Sequence, residues 1–324
     1  MALHATNSRP SLEDVFSARK VIGHYLPQTP LWHYPGLSHM VGAQVFLKHE
    51  NYQPIGSFKI RGGINLVSRL TEDEKARGVI SASTGNHGQS VAYAGRLFGV
   101  RSIIVVPEEA NPGKVESMRN LGGEVLFHGA DFDESREHVE RLAAEFSYRY
   151  IHSANEPLLI SGVGTYALEI LEELPDVDAI LVPVGGGSGA SGTALVAKAL
   201  NPSIQVIGVG AEKAPAAYLS WKHHKYIEAG METFAEGMAT RVPFELTQSI
   251  LRDLLDDYLL VSEEELKAAI VALLEKAHTL AEGAGAAPLA AALKIKDQLQ
   301  GKKVVLVLSG GNLDIAQLRE ILAA

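Results

Sequence analysis

Cysteine is missing from all 324 residues, which excludes disulfides and thiolate metal sites outright. No apolar run is long enough to span a bilayer. The stretch from Met1 to Pro10 lacks the apolar core of a secretory leader. Lysine and arginine form no cluster, and 29 of them against 38 acids leave a net charge of −9. That balance argues against nucleic acid, whose phosphates need grouped cations. There is no low-complexity tract, charge block or repeat of solenoid period. What remains is a globular composition, 46% hydrophobic and 21% charged, expected to work in the cytoplasm without membrane or nucleic-acid partners.

Short β-rich runs alternate with helical segments, the pattern of an α/β protein with largely parallel sheets. Strands are expected at Val45–Lys48, Val79–Ala82, Ser102–Val106, Glu124–Phe127, Ala179–Val184, Gln205–Val209 and Lys303–Leu308. Helices fit at Ser90–Phe98, Pro112–Leu121, Asp133–Phe146, Ala190–Leu200 and Glu263–Glu282. Val79 to Tyr150 repeats strand and helix three times, which suggests a small domain over 73–154 inserted into a larger one made of 1–72 and 155–324.

Polar or glycine-rich loops follow three of these strands. Ligands of open α/β sheets bind beyond the carboxyl ends of strands, so the loops are expected to share a cleft. Before them comes Ser57-Phe58-Lys59-Ile60-Arg61-Gly62-Gly63, where Pro54, Ile55, Gly56 and Phe58 surround a lysine with small and apolar groups. Desolvation disfavours its ammonium, so Lys59 is suited to lose a proton and attack a carbonyl; a lysine snorkelling at a helix start is the bland alternative. Ser83-Thr84-Gly85-Asn86-His87-Gly88 follows the second strand. Gly185-Gly186-Gly187-Ser188-Gly189 lies between an apolar strand and a small-residue helix, where backbone N–H groups and the helix dipole can cradle a phosphate. Gly185, Gly187 and Ala190 also match the dinucleotide fingerprint, with Glu212 after the next strand, so a nicotinamide-dependent oxidoreductase is a competing reading. It leaves the lysine and asparagine motifs unexplained. No glycine loop ends in Gly-Lys-Ser/Thr, so a nucleotide P-loop is not a candidate.

Together with Ser309-Gly310-Gly311-Asn312, these motifs resemble the serine/threonine dehydratase and serine racemase group of pyridoxal-phosphate enzymes, from about Leu12 to Asn312. The resemblance implies the tryptophan-synthase-β-like fold: two open α/β lobes with the cofactor, pyridoxal 5′-phosphate, in the cleft between them. It implies that Lys59 forms the Schiff base and acts as the base at Cα, with Phe58 beside it. Asn86 would contact the cofactor's ring oxygen, and Gly185, Gly186, Gly187, Ser188 and Gly189 its phosphate. Ser309 would bond its pyridine nitrogen, and Ser83, Thr84, Asn86 and His87 would surround the substrate. Glu236-Gly237-Met238 and Glu282-Gly283-Ala284-Gly285 resemble further family loops, but a helix cap or helix packing explains each equally well.

The implied activity is dehydration and deamination of L-threonine or L-serine by β-elimination, in a catabolic homodimer. A serine racemase, or a dehydratase for another β-hydroxy amino acid such as 3-hydroxyaspartate or phenylserine, is the alternative within the group. The acids that bind a divalent ion in some racemases align with Gly210 and Ala216, leaving Glu212 off-register, so no metal is expected. His223 and His224, without any His-x-x-x-His pair, read as surface residues.

Overall fold

The computed structural model describes residues 8–323, so most of the leader reading on Met1–Pro10 lies outside the described residues. Among the described residues ten strands occur: β1 (Leu31–His33), β2 (Gln44–His49), β3 (Val79–Ala82), β4 (Ser102–Val106), β5 (Glu124–Phe127), β6 (Arg149–Tyr150), β7 (Ala179–Pro183), β8 (Gln205–Ala211), β9 (Asp257–Val261) and β10 (Lys303–Leu308). The chain divides into two compact units, one of residues up to Leu26 with Lys59–Gly162, the other of Pro27–Phe58 with residues from Val163 onward.

The first unit holds a fully parallel sheet of order β5-β4-β3-β6. Ile80, Ala82, Ile103 and Val105 bury against Val139 of the helix Phe132–Phe146. This unit exceeds the expected 73–154, because the helices Leu12–Ile22 and Lys59–Val67 belong to it. Lys59–Val67 lies close against the helix Asn86–Phe98: a Cβ on Gly63 would sit 2.3 Å from Ser90 Oγ, so only glycine permits the approach.

In the second unit the order is β1-β2-β10-β7-β8-β9, parallel except for β1 against β2. The middle strands read as continuous apolar runs because helices cover both faces, and β10 is buried from Val304 to Leu308. β10 lies between β2 and β7, so the loops leaving the carboxyl ends of these three strands are neighbours. The expected helix Glu263–Glu282 stops at Ala277, since His278 turns into the left-handed region at φ 53°, and a new helix runs from Gly283 to Lys294.

Lys48 of β2, fully buried, meets the Glu169 carboxylate at 2.6 Å and donates to the Thr29 carbonyl at 2.7 Å. This pair pins the helix Thr165–Glu173 to the sheet. Glu169→Ala would leave a buried cation without its counter-charge, and it should cost about 3–5 kcal/mol in urea unfolding. A Lys48→Met/Glu169→Leu double variant should lose much less than the sum of its single changes.

Candidate active site

In the first unit the loop after β3 carries Ser83, Thr84, Asn86 and His87. Ser83 Oγ accepts the Gly88 N–H at 2.9 Å and the Gly85 N–H at 3.2 Å, so this hydroxyl fastens the start of the helix Asn86–Phe98. Thr84, Gly85 and Asn86 remain half-buried, and a Cβ on Gly85 would meet nothing within 4 Å. Lys59 opens the helix Lys59–Val67, and Ser90 Oγ donates to its carbonyl at 2.6 Å. The lysine backbone is therefore fastened to the helix that presents the asparagine loop.

Burial first, and then the neighbouring Lys59 charge, lower the His87 pKa to about 3; its Nε2 lies 3.4 Å from the Ile151 carbonyl. His152 is held at about 4, chiefly by burial. Its Nδ1 accepts the N–H groups of Ala154 and Asn155, both at 3.0 Å, so the ring proton resides on Nε2. His152 was not among the expected residues. It stands just after the two-residue strand β6, without any motif to mark it.

In the second unit the loop after β2 reaches the loop after β10. Phe58 N–H donates to the Ser309 carbonyl at 3.0 Å, Ser57 bridges Gly310, and Asn312 Nδ2 donates to the Ile55 carbonyl at 2.8 Å. Ser309 is 3% exposed. After β7, Gly187 takes φ 92° as the cap of the helix Ser188–Leu200. The first amide to bond back is Ser191, to the Gly187 carbonyl at 2.9 Å. The amides before it point out of the helix end, a ready anion cradle. Gly185, Gly186, Gly187, Ser188 and Gly189 thus lie together at one helix N-terminus, with Phe58 beside Gly189.

Two loops outside the expected site line this region. A Cβ on Gly185 would clash with the Gly237 carbonyl at 2.1 Å, and one on Gly310 with Glu282 Oε1 at 2.4 Å. Glu212, the acid of the dinucleotide reading, pairs instead with Lys294 at 3.3 Å. Among the described residues no group of three or more His, Asp or Glu side chains is placed to hold a metal. His223 and His224 are exposed.

The model of the family described as pyridoxal-phosphate dependent enzyme matches residues 23–310. An L-threonine ammonia-lyase of Thermotoga maritima is 41% identical over 313 residues, covering 96% of this chain and 78% of that protein. The processed form of threonine deaminase isoform 2 from Solanum lycopersicum superposes with a TM-score of 0.91 at 32% identity, over 96% of this chain and 91% of that one. Maize serine racemase gives 0.92 at 33% identity, over 98% of each chain.

Burial of neutral His49 (held at about 4, mainly by desolvation), His87 and His152 makes stability depend on acid. Unfolded, each binds a proton near pH 6.5; folded, it does not until pH 4 or below. Stability is therefore complete above about pH 6.5 and falls as the pH drops toward the folded values, by about 1.4 kcal/mol per pH unit for each histidine. Urea midpoints across this window should show the slope, and His152→Gln should remove one histidine's share of it.

Proposed function

The chain belongs to the pyridoxal-phosphate dependent enzyme family, and on that basis we propose that it is a threonine/serine ammonia-lyase, forming 2-oxobutanoate from L-threonine and pyruvate from L-serine, each with ammonia. The observation that carries the reading is Lys59 fastened through Ser90 to the helix that presents Ser83, Thr84, Asn86 and His87. Relatives named for the same reaction on threonine, at about 40% identity over nearly the whole chain, support it.

The residues present fit the cofactor. The amides of Gly185–Gly189 suit its phosphate, the Ser309 hydroxyl its pyridine nitrogen, Asn86 its ring oxygen and Lys59 its aldehyde carbon. Phe58 stands against the phosphate loop, and Ser57 Oγ, buried with no hydrogen-bond partner among the described residues, offers unused bonding capacity beside Gly310. When bound, pyridoxal phosphate supplies the electron sink that makes the substrate Cα–H acidic. Lys59 Nζ takes that proton. The loop from Ser83 to His87 holds the carboxylate with hydroxyl and amide hydrogens, and His87, kept neutral, adds no charge to compete with Lys59. The β-hydroxyl departs as water; the enamine that is set free tautomerises and takes water back, yielding the 2-oxo acid and ammonia. A homodimer in the cytoplasm completes the proposal, and light scattering of the purified protein tests the dimer.

Lys59→Ala should lower 2-oxo acid release from L-threonine by at least about 10³-fold, since it removes both the anchor and the base. It should also abolish the borohydride-sensitive visible absorbance of the purified protein. Substantial turnover without added amine would refute the role of Lys59.

The likeness to maize serine racemase raises a second outcome, inversion at Cα. Inversion needs an acid on the face opposite Lys59, and the hydroxyl offered there is Thr84, whose extra methyl restricts χ1 and makes it a poorer shuttle than serine. Chiral chromatography of an L-serine reaction should find pyruvate well in excess of D-serine, and Thr84→Ala should leave deamination largely intact. D-serine accumulating faster than pyruvate would make the enzyme a racemase.

A further inference from the structure

Tyr166 stands on the helix Thr165–Glu173, one turn before Glu169, and is 1% exposed. Its hydroxyl donates to the Gly189 carbonyl at 3.0 Å, and Thr193 Oγ1 donates to the Tyr166 hydroxyl at 2.7 Å, with Gly189 O as its alternative acceptor at 3.0 Å. Each hydroxyl has one hydrogen to give, so the three groups form a directed chain ending on the carbonyl. At the other end of the loop, Thr247 Oγ1 donates to the Gly186 carbonyl at 2.8 Å.

These bonds fix more than the carbonyls. In a trans peptide the N–H points opposite to the C=O. Holding the Gly186 carbonyl outward therefore aims the Gly187 amide, and holding the Gly189 carbonyl aims the Ala190 amide. A hydrogen bond accepted by a peptide carbonyl also polarises the amide of the same peptide group. Two peptide planes of the cradle are thus set from outside by side-chain hydroxyls. The ring of Phe58 completes the packing, edge-on to Tyr166 at 6.1 Å between centroids and 87° between planes.

We propose that Tyr166, acting with Thr193, is a positioning residue for the phosphate loop and sets how tightly the chain holds the phosphate arm of its cofactor. The inference rests on the functional reading above, in which Gly185–Gly189 binds that phosphate. Tyr166 touches neither substrate nor reacting atoms in this role; it acts through the Gly189 peptide.

The test compares the wild-type holoenzyme with Tyr166→Phe, Thr193→Val and the double variant, following cofactor release by absorbance after dilution. Tyr166→Phe should release pyridoxal phosphate roughly 5- to 10-fold faster, as expected for one lost hydrogen bond in a buried site. The double variant should release it faster still, because the Thr193 hydroxyl can no longer turn to Gly189. Thr193→Ser, which keeps the hydroxyl, should behave as wild type and guards against a variant that merely folds badly. Pyridoxal, which lacks the phosphate, separates positioning from general packing: its affinity should be unchanged in every variant. Equal weakening of both ligands, or unchanged release of pyridoxal phosphate, would overturn the positioning role. A wild-type protein that retains no pyridoxal phosphate would overturn the functional reading together with it.

Discussion

The amide of Phe58 gives its hydrogen to the carbonyl of Ser309 across 3.0 Å, and the loops of the second unit are arranged around that bond. It is possible because β2 and β10 are adjacent and parallel, so that His49 pairs with Leu308 and the two chains leave the sheet side by side. From there the Phe58 ring reaches Tyr166 and Gly189, at the start of the helix that follows β7. One residue therefore joins the loops of three neighbouring strands. Lys59 is the next residue in the chain, and the division between the two units falls between them.

The charged and polar interior of the second unit serves this arrangement from further away. Lys48 and Glu169 are costly to bury, and their mutual attraction offsets that cost only while the geometry holds. The pair fixes the helix Thr165–Glu173 against β2, and the same helix carries Tyr166. In the first unit Ser83 and Ser90 close the backbone around the asparagine loop, and buried His87 and half-buried His152 carry no charge.

Much of this was legible beforehand, for a physical reason. Strands buried on both faces announce themselves as short apolar runs, and β3, β4 and β10 have the expected bounds, as does the exposed edge strand β5 with its Val125-Leu126-Phe127 run. Strands whose runs carry polar or charged residues do not: β1, β6 and β9 carry His33, Arg149 and Asp257 and were missed. The break after Ala277 was missed because helix periodicity continues through it, while the left-handed turn at His278 involves a residue with no turn signature. The first compact unit takes in more than 73–154 because the close approach of Gly62 and Gly63 to neighbouring helices is a tertiary feature. The lysine, asparagine and glycine motifs were readable as local runs. Tyr166 and Thr193 were not, because their link to Gly189 joins an ordinary tyrosine to a loop 23 residues away.

Tyr166 also fills the room into which a side chain at position 189 would grow. A Cβ there would stand 3.2 and 3.3 Å from two carbons of the Phe58 ring and 3.3 Å from the Tyr166 hydroxyl. Position 189 is not free to drift by itself: a larger residue there demands room from both the Phe58 ring and the Tyr166 hydroxyl. In evolutionary terms positions 58, 166 and 189 are epistatic, so that a lineage can place a side chain at 189 only by changing its neighbours as well.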